Sequence, residues 1–243
     1  MRRQRVNKIY EIYKTLYGTY GPQGWWPFIN YNGVNESKNG NVDGYHIEDY
    51  SFPRNSDEVF EVCLGSILTQ NTTFTSVVKS LHNLKDKNAL TPEAIKNMDI
   101  DELKEAIKPS GYFNQKARYI LEYISFFEGL NGVTPTRDEL LHVVGIGEET
   151  ADSILLYGYN TAEFKVDAYT KRMLIELGLI DEKLKYKDIK KLMQDSLKEC
   201  INDEKKLVIV YQEFHALIVN HSKEFYSKQP YAQGCFLKEK YYE

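Results

Sequence analysis

The stretch 140-LLHVVGIGEETADSILLYGYNTAEFKVDAYTKRML-174 decides how this chain is read. Leu140, Leu141 and Val144 close one amphipathic run, and Gly145-Ile146-Gly147 turns the chain. Glu148 through Tyr157 then open a second helix with Ala151, Ile154 and Leu155 on one side. Two glycines in so short a turn permit positive φ and leave the backbone bare. N–H groups exposed at a helix start hold a phosphate without basic side chains. A Gly-x-Gly between helices also serves as a plain turn, so taken alone it selects no function. Asp167, directly before 168-AYTKRMLIELGL-179, stands where an N-cap belongs.

Outward from this stretch the chain reads as helical almost throughout. A first helix is predicted over 2–18, ending at Gly18 and Gly21-Pro22. The Asn- and Gly-rich segment 30–53 reads as an irregular loop. Asn55 with Glu58 resembles a capping box that opens 57-DEVFEVCLGSILTQ-70. Further helices are expected over 73–84, from Thr91-Pro92-Glu93, over 101–108 and 115–127, after the Thr136/Glu139 box, and over 148–157. The last three cover 167–177, 187–199 and 205–226. Strand-like alternation is scarce, which gives an all-α fold with two helical sub-lobes and a cleft between them.

Composition places the chain among ordinary globular proteins, with 42% hydrophobic and 27% charged residues in 243. No uncharged apolar run approaches the length of about 18 residues that a membrane span needs. The opening MRRQRVNKIYEIYKTLYGTY has no apolar core and is not read as a signal peptide. The three cysteines, Cys63, Cys200 and Cys235, are scattered, which speaks for a reducing cytoplasm and against a disulfide framework. In that setting the glycosylation-like Asn35-Glu36-Ser37 and Asn71-Thr72-Thr73 are accidental matches. A net charge of −4 argues mildly against nucleic-acid binding, although bare N–H groups in the hairpin would partly offset it.

The hairpin stretch resembles that of base-excision glycosylases in the helix-hairpin-helix (endonuclease III) superfamily. In that family a Gly-hydrophobic-Gly turn, a Thr-Ala pair and a later Val-Asp form one unit; here they are Gly145-Ile146-Gly147, Thr150-Ala151 and Val166-Asp167. The resemblance runs roughly from Trp25 to Phe225. Trp25-Trp26-Pro27, 65-GSILTQNTTFTSVVKSLHNLK-85, 108-KPSGYFNQKARYI-120, Gly145 to Glu148 and 214-FHALIVNHSKEF-225 are most similar to the bacterial 3-methyladenine branch, which lacks an iron-sulfur cluster. It implies one glycosylase unit over 1–243, with a hairpin lobe over about 56–165 and a second lobe from 1–55 plus 166–243.

By the same resemblance Asp167 is the catalytic carboxylate, and Gln70 and Tyr112 fill the gap left by a flipped nucleotide. Gly145, Gly147 and Thr150 are the hairpin's DNA contacts. Bifunctional members carry a lysine immediately before the Thr-Ala pair, where this chain has Glu149. A carboxylate forms no Schiff base, so a monofunctional glycosylase is expected, with Lys165 and Lys171 the nearby lysines. Stacking on electron-rich rings suits a cationic methylated purine, and Trp25, Trp26 and Phe74, with Pro27 and His215, are the candidate base pocket.

Two departures from that branch stand out. A pocket lysine found there after the Phe-His pair is replaced by Leu217, and the 30–53 insertion is longer than expected. Of the cysteines only Cys200 and Cys235 lie where a four-cysteine cluster would form, so no iron-sulfur cofactor or metal is expected. The carbonyls of such hairpins can hold a monovalent cation. The expected partner is double-stranded DNA with damaged bases, met by a monomer in the cytoplasm at the nucleoid. The alternatives are a glycosylase for a mismatched or oxidised base and a non-catalytic helix-hairpin-helix module. The latter leaves Asp167, twenty residues after Gly147, unexplained.

Overall fold

The computed structural model describes residues 2–33 and 44–241; the middle of the 30–53 segment, with Asn35-Glu36-Ser37, lies outside them. Every regular element among the described residues is helical, so the fold is all-α. In order these are α1 (Arg2–Tyr20), α2 (Ser56–Leu68), α3 (Phe74–Asp86), α4 (Pro92–Asn97), α5 (Ile100–Ile107) and α6 (Phe113–Gly129). There follow α7 (Arg137–His142), α8 (Glu148–Ser153), α9 (Ala168–Glu176), α10 (Tyr186–Lys198), α11 (Glu204–Phe225) and α12 (Phe236–Tyr241).

Local chemistry sets most helix starts. Thr136 and Glu139 make a complete capping box: Glu139 N–H donates to Thr136 Oγ1 at 3.2 Å, and Thr136 N–H to Glu139 Oε2 at 2.7 Å. Thr91 caps α4 ahead of Pro92. At α2 the box is shifted: Asn55 caps Glu58 N–H, but the Glu58 carboxylate takes the N–H of Arg54, at 2.6 Å. The Arg54 guanidinium bonds that same carboxylate at 2.8 Å, drawing it one residue upstream.

The chain packs as two compact units, described here as residues 26–33 with 44–161 and residues 2–25 with 162–241. The first, the hairpin unit, is built on α2, which is buried continuously from Phe60 to Leu68. Around it pack α3, α6 and α8, while α5 lies on α3 and α6. Each buried Leu or Ile here, such as Leu64, Ile67, Leu81, Leu103 and Ile120, contributes about 1.5–3 kcal/mol. Residues 26–33 and 44–55 also pack in this unit, through a stack of Phe28, His46 and Phe52.

The helix expected over 148–157 changes pitch inside this unit. After α8 the residues Ile154–Gly158 form a π-helical turn in which Tyr159 N–H reaches Ile154 O at 3.2 Å. Ile154, Leu155, Leu156 and Tyr157 are all buried in this turn.

In the second, terminal unit, α1 packs on α10 and α11, and α9 on α11. The short α12 was not anticipated from sequence, since six residues are too few to carry a periodic signal. It is held by its partners: Tyr241 OH meets Thr15 Oγ1 at 2.8 Å, and the Lys8 ammonium donates to Tyr241 O at 3.2 Å. No described helix is long and apolar enough to cross a membrane.

Candidate active site

In the hairpin unit the turn is shaped by its two glycines in different ways. Gly145 has φ +88°, and a Cβ there would run into the ring of Tyr119 on α6. Only glycine satisfies both conditions. Gly147 is extended, exposed, and has no protein atom within 4 Å of where a Cβ would stand. It is the N-cap of α8 without a side-chain cap, so the first N–H groups of α8 face outward uncapped by side chains. Ile146 between them is buried and anchors the turn to the core.

Three charges lie on α7 and α8 behind this turn. Arg137 Nε donates to Asp152 Oδ1 at 2.8 Å, and its guanidinium reaches Glu148 at 3.3 Å. The Asp152 side chain is fully buried, so this pair pins the two hairpin helices together and offsets acidic charge at the start of α8.

Gln70, Thr150 and Tyr112 are placed differently from one another. The Gln70 amide donates to Gly145 O at 2.9 Å and to Thr150 Oγ1 at 3.2 Å, bracing the turn from the end of α2. Thr150 is itself buried. Tyr112, at the N-cap of α6, is 65% exposed and holds left-handed backbone with φ 48°.

Sequence reading passed over the group that joins these positions. Lys116, almost fully buried, donates to Leu68 O and to Ser110 O, both at 2.7 Å. Each carbonyl lies two residues before a candidate DNA contact, Gln70 or Tyr112. Burial pushes the Lys116 ammonium down to about 8.

Trp26, Pro27 and Phe74 also belong to the hairpin unit. Trp26 is 2% exposed, packed edge-on to Phe74 at 5.3 Å and beside Tyr157 at 5.7 Å. Gly65 makes room for it, since a Cβ there would stand 2.7 Å from the indole. Glu61 accepts Ile29 N–H at 2.7 Å, and the His46 ring contacts Trp26 O at 3.0 Å. These two buried side chains hold the 26–29 segment in place; burial raises the Glu61 carboxyl to about 7, against the bond from Ile29. Phe74 is only partly buried.

Asp167, His215 and Trp25 belong to the terminal unit. Asp167 caps α9: its Oδ1 accepts Thr170 N–H at 2.7 Å and the Thr170 hydroxyl at 2.9 Å. Its Oδ2 stands 3.3 Å from His215 Nε2, in a pair whose side chains are 13% and 3% exposed. Burial raises the carboxyl, but the His215 bond and charge, the Lys165 charge and the Thr170 N–H outweigh it and hold the group well below the usual carboxylate range. Ahead of Trp25, Gln23 N–H is held by Glu213 on α11 at 2.7 Å. Glu213 is a second residue that sequence reading missed.

The three cysteines are unbridged, and among the described residues no group of three or more His, Cys, Asp and Glu side chains is placed to hold a metal. Cys235 Sγ is buried against His221 and Tyr226, at 3.2 Å from each.

A bare Gly-Ile-Gly turn between two pinned helices is the mark of a helix-hairpin-helix protein. Residues 64–199 match the HhH-GPD superfamily of base excision DNA repair proteins, and the chain belongs to it as a DNA glycosylase. A candidate DNA repair glycosylase of Methanocaldococcus jannaschii is 36% identical over 250 residues, covering 98% of each chain. Endonuclease III of Sulfolobus acidocaldarius is 32% identical over 192 residues, 76% of this chain and 82% of that one. Among solved structures, the 3-methyladenine DNA glycosylase of H. pylori bound to 1,N6-ethenoadenine gives a TM-score of 0.67 at 28% identity, covering 89% of this chain and 97% of that one.

Proposed function

We propose that this chain is a monofunctional glycosylase that flips an alkylated purine of the 3-methyladenine kind out of duplex DNA and hydrolyses its N-glycosidic bond. The observation that carries the reading is Asp167, a nearly buried carboxylate kept ionised, with Oδ1 committed to Thr170. Breaking the bond from C1′ to the base nitrogen builds positive charge on the deoxyribose. Asp167 stabilises that charge and orients or deprotonates the water that attacks C1′. A base methylated at N3 or N7 leaves as a neutral molecule, so little acid catalysis is needed. The uncapped N–H groups of α8 hold a backbone phosphate, and Tyr112 fills the vacated stack. Phe74, only partly buried beside the enclosed Trp26, offers an aromatic face for the cationic base.

Likeness to the H. pylori enzyme supports the alkylated purine. The monofunctional part rests on Glu149, an exposed carboxylate at the place of the Schiff-base lysine. The same reading includes a monovalent cation at the hairpin carbonyls. Val143 O, Gly145 O and Gly147 O each engage one protein donor and keep a second lone pair. Such an ion would add positive charge beside the phosphate.

The test is base release from methylated duplex DNA, with strand breakage and borohydride trapping followed separately. Free 3-methyladenine without nicking or a trapped adduct is the expected result. Tight DNA binding with no methylated base released overturns the substrate. A trapped adduct overturns the monofunctional assignment and favours the reaction class of the endonuclease III relative.

A further inference from the structure

We infer that His215 is a positioning residue that holds and aims Asp167 Oδ2, rather than a wall of the base pocket. The inference rests on the glycosylase reading above.

His215 lies on α11 between Phe214 and Leu217, both fully buried, so its ring is fixed in the packed side of the helix. Packing of α9 on α11 brings the N-cap of α9 against it. The two carboxylate oxygens then have separate duties. Oδ1 takes both donors of Thr170 and serves as the cap. Oδ2 is left for chemistry, and His215 Nε2 stands 3.3 Å from it.

An imidazole donating through Nε2 supplies one N–H and occupies one lone pair of Oδ2, leaving another for the attacking water or the sugar. Three charges or donors thus face Asp167: His215 from α11, Lys165 from the preceding segment, and Thr170 from its own first turn. A carboxylate this buried without them would take up a proton and lose its hold on the developing sugar cation. The Nε2 of His215 faces Oδ2, so its effect passes through Asp167.

Single-turnover release of methylated base from dimethyl sulfate-treated duplex, measured from pH 4.5 to 8, tests this with His215→Phe and His215→Gln. DNA affinity is measured in parallel. His215→Phe is expected to slow release by about 10- to 100-fold, the worth of one hydrogen bond to a charged group, with affinity within about twofold. An acid limb enters its pH profile within this range, because the carboxylate protonates earlier. His215→Gln, whose amide keeps a donor near the place of Nε2, restores most of the rate. A wild-type rate in His215→Phe, or equal losses in both variants with no acid limb entering, overturns the inference.

A second readout needs no substrate and no folded Phe variant. The His215 ring resonances are followed against pH in the wild-type protein and in Asp167→Asn. Loss of the carboxylate should move that titration to lower pH, and an unchanged titration refutes the pairing. If wild-type protein releases no methylated base, the substrate reading fails while this titration still decides the role of His215.

Discussion

Replacing Lys116 by methionine separates two contributions that the structure places on one atom. Its Nζ carries two hydrogen bonds of 2.7 Å, to Leu68 O and Ser110 O. Leaving two buried carbonyls without a donor costs about 1–3 kcal/mol each. Against this, burial holds the ammonium at about 8, below its ordinary 10.5, so keeping it charged in the folded state costs roughly 3 kcal/mol at pH 7. The net loss at pH 7 is therefore small, about −1 to 3 kcal/mol. The sign of the pH dependence follows from linkage. Between the folded and unfolded values the unfolded chain binds more protons, so wild-type stability rises with pH there. The neutral amine still has two N–H groups for its two carbonyls, so the bonds survive deprotonation.

Raising the pH from 7 to 10 should thus widen the gap between wild type and Lys116→Met by roughly 2–3 kcal/mol. Urea denaturation followed by circular dichroism at pH 7, 8, 9 and 10 reads this directly, and the difference cancels titrations common to both proteins. Curves that stay parallel across that range would show that Lys116 is not the buried donor described here.

The two hairpin glycines should part company. Gly145→Ala, with positive φ and the Tyr119 ring in the way, is expected to cost about 3 kcal/mol and lower the melting temperature by several degrees. Gly147→Ala meets nothing, so its melting should be unchanged while DNA affinity falls; an unchanged affinity would remove the phosphate from that turn. Arg137→Met takes the guanidinium from the buried Asp152 carboxylate and should cost about 3–5 kcal/mol, with little dependence on salt. A loss under 1 kcal/mol by chemical denaturation would mean the pair does not hold α7 to α8.

The sequence by itself determined the helical class, most helix starts and the family, because those depend on neighbours a few residues apart. Thr136 and Glu139 meet across one turn, Thr91-Pro92 starts α4 locally, and the spacing of Gly145, Gly147, Thr150 and Asp167 is written along the chain. The shifted box at Asn55 marks the edge of this legibility, since a neighbouring arginine was enough to redirect Glu58.

Tertiary structure alone decided what holds the site. Lys116 meets a carbonyl 48 residues away, Glu61 an amide 32 away, and Glu213 one 190 away. His215 and Asp167, on separate helices, become a pair only when α9 packs on α11. Gly65 reads as a poor helix residue until the Trp26 ring is seen against it, and the π turn at Ile154–Gly158 is seen only in the folded chain. A buried polar group takes whichever partner the packed core brings within reach. That choice depends on the whole fold, and no local pattern in the sequence encodes it.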